Sequence, residues 1–193
     1  MGRIVVAGAG GPSGEAVCDA LRAAGHEVVP VTREQADLAD AAGITAYAQQ
    51  VADAGPVDGL VHLAGGWRGG GGVAGQSDAD WDFLAERVLD TLRRTSRAFF
   101  PALAAAGGRL VIVSTTGLDA PRASNANYLA VKAAAEAWTQ ALGHELAKSG
   151  GSGEILRVMA LYTDADHAAN PDKDYAAWTH VEDLGRQIAQ FFA

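Results

Sequence analysis

Arg3-Ile4-Val5-Val6-Ala7-Gly8-Ala9-Gly10-Gly11-Pro12-Ser13-Gly14 is the stretch that decides the fold. A β-branched apolar run passes directly into a glycine-rich turn, and the turn opens an alanine-rich segment: strand, tight turn, helix. Glycines permit close backbone approach, and free N–H groups at a helix N-terminus receive phosphate. Pro12 lacks an N–H but suits the first helical turn, and Ser13 adds a hydroxyl. Gly8, Gly11, Pro12, Ser13 and Gly14 are therefore expected to cradle the pyrophosphate of a dinucleotide.

Outward from this turn, short β-branched runs alternate with longer alanine-rich segments. Strands are expected at 3–8, 27–32, 57–64, 108–115 and 155–161, and helices at 13–24, 41–54, 78–105, 124–148 and 182–192. Residues 57–64 are nearly all apolar, as buried parallel strands are. A glycine cluster fills 65–75. The alternation implies an α/β fold, a Rossmann-type doubly wound parallel sheet flanked by helices, in a single domain over residues 1–193.

The end of the second strand bears on which dinucleotide is held. An acid there would bind the adenosine ribose 2′-hydroxyl. The strand ends Val31-Thr32-Arg33 instead, and the planar fork of Arg33 suits a 2′-phosphate. NADP(H) is favoured over NAD(H).

Tyr128 and Lys132 stand one helical turn apart on one face. A free phenol has a pKa of about 10, and a nearby cation favours the phenolate, so the pair is a proton-transfer candidate.

The formal charge of −8 argues against a nucleic-acid partner. No apolar run approaches the roughly 20 residues of a membrane span. Residues 1–6 run straight into a strand without the charged region and cleavage site of a leader, and Val6 breaks a myristoylation pattern. Single Cys18 excludes an internal disulfide framework and suits a helix core. A cytoplasmic setting and no metal site are expected, since the five His residues lack zinc spacing.

Together these pieces resemble the short-chain dehydrogenase/reductase family over nearly the whole chain. Gly8-x-x-Gly11-x-x-Gly14 is similar to the turn of its extended and atypical members. Asp37-Leu38 resembles the step that touches the adenine, and His62-Leu63-Ala64-Gly65 sits at the Asn-Asn-Ala-Gly motif. Trp81-Asp82 and Arg97-Ala98-Phe99-Phe100-Pro101 look like the ends of the long fourth helix. Residues 108–115 resemble the strand that carries the catalytic Ser, and Arg157-Val158-Met159-Ala160-Leu161 the sixth strand.

The resemblance implies that Tyr128 protonates a carbonyl oxygen while nicotinamide reduces the carbon. It implies that Lys132 binds the nicotinamide ribose and lowers the Tyr128 pKa. The substrate-orienting hydroxyl falls on Thr115, with Ser114 as the alternative. Asp37, Leu38, Ala64 and Gly65 join the cofactor-binding set. A small-molecule substrate follows, with a homodimer through the two long helices. The departures are specific. The family's helix Asn falls on Val88, Leu161-Tyr162-Thr163 replaces its Pro-Gly, and the interval from Arg33 to Asp37 is short for the usual helix. Six strands are expected, the family's last strand being absent.

Val57-Asp58-Gly59-Leu60-Val61-His62-Leu63-Ala64-Gly65-Gly66-Trp67-Arg68-Gly69-Gly70 and Trp178-Thr179-His180-Val181-Glu182 resemble segments of dihydropteridine reductases. Trp67 suits either stacking on a flat substrate or anchoring the glycine loop. Residues 162–178 are expected to form an acidic, mobile substrate lid, with Tyr162 and Trp178 as substrate contacts. Rival readings are a dinucleotide-binding regulator without redox turnover, a dihydropteridine-reductase-like enzyme, and an epimerase or lyase on tightly held cofactor.

Overall fold

A computed structural model describes residues 1–193. The main sheet is built from β1 (Arg3–Ala7), β2 (Glu27–Val31), β3 (Gly59–His62), β4 (Arg109–Thr115) and β5 (Ser152–Val158) in the order β2-β1-β3-β4-β5, all parallel. Its helices are α1 (Pro12–Ala23), α2 (Ala41–Asp53), α3 (Asp78–Leu84), α4 (Thr91–Ala106), α5 (Ala126–Leu146), α6 (Asp164–Ala169) and α7 (Val181–Gln190). The strand order reverses between β1 and β3. Ligands in such sheets lie beyond the strand ends at that crevice.

Alternation along β1 divides the core into two layers. Ile4 and Val6 pack with Val17, Leu21, Leu184 and Ile188, the faces of α1 and α7. Val5 and Ala7 pack with Ile44, Leu92, Phe99 and Val131, from α2, α4 and α5. Buried on both faces, the central strands need the unbroken apolar runs seen in the sequence.

The main sheet has five strands rather than six. From Thr32 to Asp40 the chain closes turns on its own side chains: Gln35 Oε1 accepts from Thr32 N, Asp37 Oδ1 from Ala39 N, and Asp40 Oδ1 from Ala42 N. No residues remain there for another strand–helix unit. Pro30 stands in β2, an edge strand, where its missing N–H is tolerated.

β5 starts at Ser152, earlier than expected, and ends at Val158. Gly153 reads as loop in the sequence, but its role is close packing. A Cβ on Gly153 would lie 2.7 Å from Thr139 O, and one on Gly143 would lie 2.7 Å from Gly153 N. The glycines bring α5 against β5.

Two further departures lie near the sheet's C-terminal edge. The long helix expected at 78–105 is broken by a π-helical stretch, Ala85–Asp90, between α3 and α4. The lid is not structureless: β6 (Leu161–Tyr162) pairs with β7 (Thr179–His180), and Thr163 caps α6 through a capping box. Two-residue strands carry no readable periodicity. No helix is long and apolar enough to cross a membrane.

Candidate active site

The turn after β1 is set by sterics. Gly8 has a φ of +89°, and a Cβ there would stand 2.7 Å from Ala64 N; one on Gly14 would stand 2.4 Å from Gly8 O. Gly11 has nothing within 4 Å of its Cβ position. Gly8 N and Ala9 N donate to Val31 O, pinning the turn to β2. The amides of Gly10, Gly11, Ser13 and Gly14 donate to no backbone carbonyl. Glycine space, free amides and the start of α1 therefore meet at one point, the donor set that a pyrophosphate requires.

A cavity of about 890 Å³ extends from this turn along Thr32, Arg33, Asp37, Leu38, Ala64 and Gly65. Arg33 is exposed and makes no ion pair within the chain. Asp37 serves its own turn through Ala39 N. Glu86, Arg87 and Thr91, from the π-helical stretch and the start of α4, form another part of the wall. These three were missed in the sequence, where the helix was read as an interface and as the place of Val88 at the family's Asn position. Irregular helical turns at functional sites are a recurrent pattern, but they leave no periodic signal.

A second cavity, about 680 Å³, shares Ala64 and Gly65 with the first. Ser13, Ser114, Thr115, Tyr128, Lys132, Trp67 and Trp178 line it. Pro12 lies outside both, at the first position of α1, beside α7. Tyr162 lies outside as well, a correction to its expected substrate contact. Its ring packs 4.7 Å from Tyr175 and 5.0 Å from His180, inside the lid's own aromatic cluster. Asn125, Met159 and Lys173 join the lining unforeseen.

Lys132 Nζ donates to Val113 O at 2.8 Å and lies 5.8 Å from the Tyr128 ring centroid. Burial brings the ammonium down to about 8, with nearby Glu136 opposing the shift. Burial pushes the Tyr128 phenol above its ordinary value. The expected lowering by Lys132 is therefore corrected: desolvation outweighs a cation turned toward a backbone carbonyl. Burial thus favours the neutral phenol at Tyr128.

The two hydroxyls differ. Thr115 Oγ1 accepts from Gly117 N at 3.0 Å, which fixes the side chain and leaves its proton free. The buried Ser114 hydroxyl has no hydrogen-bond partner within normal range and lies beside Glu136. Glu136, one turn beyond Lys132, is buried and held bidentately by Arg157 at 2.8 and 2.6 Å. Burial alone would raise its carboxyl, but Arg157 holds it below the ordinary range. The i+4 spacing of Lys132 and Glu136 was the available signal for this support.

His62 is 4% exposed. Thr91 Oγ1 donates its proton to Arg87 O at 2.8 Å and so accepts from His62 Nε2 at 3.3 Å. Burial first, then Lys132, lowers the imidazole to about 3.

The short chain dehydrogenase family model matches residues 3–174, and the chain belongs to that family. A protein of Streptomyces virginiae described as a ketoacyl reductase of a monensin polyketide synthase is 34% identical over 149 residues, 73% of this chain and 54% of the relative. The chain spans little more than half the length of that relative. Two solved structures share the fold. The 3-ketoacyl-(acyl-carrier-protein) reductase of Brucella melitensis complexed with NADH has a TM-score of 0.84 at 21% identity, over 100% of this chain and 90% of that one. ElxO with NADP bound has 0.88 at 14% identity, over 97% and 90%.

His62 generates a pH prediction. The unfolded imidazole takes up a proton near 6.5 and the folded one only near 3, so stability falls as pH drops through that window. Between about pH 7 and pH 5 the expected loss from this residue is about 2 kcal/mol. Urea midpoints measured across this range should fall less steeply in His62→Gln than in the parent chain.

Proposed function

We propose that residues 1–193 act as one dinucleotide-binding unit that reduces a small carbonyl or imine with NADP(H), Tyr128 donating the proton. The observation that carries this reading is the junction at Ala64–Gly65, where the glycine-cradled groove opens into the cavity holding Tyr128, Lys132 and Thr115. A dinucleotide laid along both would bring its reactive end to the phenol.

When bound, reduced nicotinamide supplies a hydrogen with two electrons to the carbonyl carbon and leaves oxidised. Thr115, fixed by Gly117 N, donates a hydrogen bond to the carbonyl oxygen and orients it. Tyr128 passes its proton to that oxygen as the C=O π bond breaks, and water restores the phenol's proton afterwards. Lys132 keeps one N–H on Val113 O and offers the others to the ribose hydroxyls. The Glu136–Arg157 pair steadies the helical turn below it.

Arg33, exposed and without an ion pair at the rim of the larger cavity, favours a 2′-phosphate and hence NADP(H). The outer face of α5 exposes Ala130, Ala133, Ala134, Ala137 and Ala141, and α4 exposes Arg97 and Pro101. Small residues of this kind let two copies approach closely, which supports a homodimer through the two long helices.

Tyr128→Phe should lower turnover at least about 100-fold while leaving NADPH affinity nearly unchanged. In the same assay Thr115→Val should cost more than about tenfold in kcat/KM, and Ser114→Ala only a few-fold. A Tyr128→Phe variant with full activity would sink this mechanism. NADPH binding without turnover of ketones, quinones or quinonoid pterins would instead fit a non-redox regulator.

Arg33→Asp should weaken NADPH far more than NADH in fluorescence titrations, and equal weakening would remove the 2′-phosphate role. Light scattering at increasing concentration should reach the mass of two chains; a monomer throughout would contradict the dimer.

A further inference from the structure

The smaller cavity has an electrostatic character unlike the rest of the molecule. The chain carries a formal charge of −8, yet no Asp or Glu lines this cavity, and its only basic side chains besides His62 are Lys132 and Lys173. Lys132 is committed to Val113 O and has Glu136 one turn away. Lys173 enters from the lid on the opposite side.

The Lys173 ammonium is held by aromatic rings rather than by a direct ion pair, with the Asp166 carboxylate near enough to feel its charge. It lies 3.9 Å from the Trp178 ring centroid and 5.5 Å from that of Tyr175. It makes no ion pair, although the lid contains four aspartates. Three of those carboxylates are occupied elsewhere: Asp166 by Thr163 N and Oγ1, Asp174 by Ala176 N, and Asp164 by His180. The aromatic platform is fixed in turn, because buried Tyr175 donates to Asp166 O at 2.9 Å and packs against Tyr162. A lysine stacked in this way has lost much of its rotamer freedom before a ligand arrives, so an incoming anion meets a positioned charge.

We infer that Lys173 is a specificity-determining residue that holds an anionic group, a carboxylate or phosphate, on a flat substrate lying between Trp178 and Tyr128. The inference rests on reading this cavity as the substrate site. Trp67, 58% exposed at the rim, extends the aromatic surface such a substrate would meet. Two sources present the same chemistry, the substrate's own anion and a phosphate of the dinucleotide, and the substrate's is the one assigned here.

The test uses binding rather than turnover. Protein saturated with NADP+ is titrated calorimetrically with benzoate and with benzamide, which match in shape and differ in charge. Benzoate should bind more tightly, and Lys173→Gln should weaken it about two- to fivefold, the range for one exposed charge pair, without changing benzamide. Lys173→Arg should retain the preference, and added salt should erode it. Equal binding of the two probes, failure of benzoate to bind, or an unchanged benzoate affinity in Lys173→Gln would overturn the assignment. A Lys173→Gln variant that loses NADP+ affinity but keeps benzoate affinity would place the contacted anion on the dinucleotide and also overturn it. These titrations involve no turnover, whereas the Tyr128→Phe assay measures turnover alone, so failure of one reading is distinguishable from failure of the other.

Discussion

The turn after β1 and the strand end at Ala64 approach so closely that neither tolerates a methyl group between them. That contact depends on Gly8 in a left-handed conformation and on Gly14 pressed against Gly8 O. It brings the N-terminus of α1, the end of β2 and the end of β3 to one point. Both cavities begin there, so the site is a consequence of how β1 passes into α1. The parallel sheet behind it supplies rigidity, with apolar side chains filling both faces.

Elements with strong local signals were legible in the sequence. β1, its turn and α1 were readable because glycine placement and β-branched runs act within a few residues. Tyr128 and Lys132 were readable as a pair because helical spacing is local. Tertiary effects were not. The phenol's upward shift comes from burial, which spacing along one helix does not report. Gly153 looked like a loop residue because sequence does not distinguish a flexible glycine from one that admits a neighbouring helix. Tyr162 was assigned to substrate by position along the chain, yet its partners, Tyr175 and His180, are thirteen and eighteen residues further on. The sixth strand failed because residues 32–40 spend their polar side chains closing turns.

Charge is placed unevenly across the site. Beneath Tyr128 and Lys132, buried Glu136 is held bidentately by Arg157, whose exposed guanidinium also reaches Asp119 at 2.7 Å. Breaking such a pair from one side leaves an uncompensated charge, so these residues constrain one another more than they stabilise the fold outright. His62 is kept neutral beside them. One cation of the cavity, Lys132, is buried and bonded to Val113 O, and the other, Lys173, stands against the rings of Tyr175 and Trp178.

The glycine contact between α5 and β5 has a consequence for how this scaffold can change. Gly143 and Gly153 press the helix that carries Tyr128 and Lys132 against the sheet, with no room for a side chain between them. The opposite wall is a short ribbon, β6–β7, held mainly by its own rings and caps. One side of the cavity therefore behaves as fixed tooling and the other as an exchangeable jaw. Residues 161–180 can therefore change in sequence without disturbing the contact that seats Tyr128 and Lys132 on the sheet.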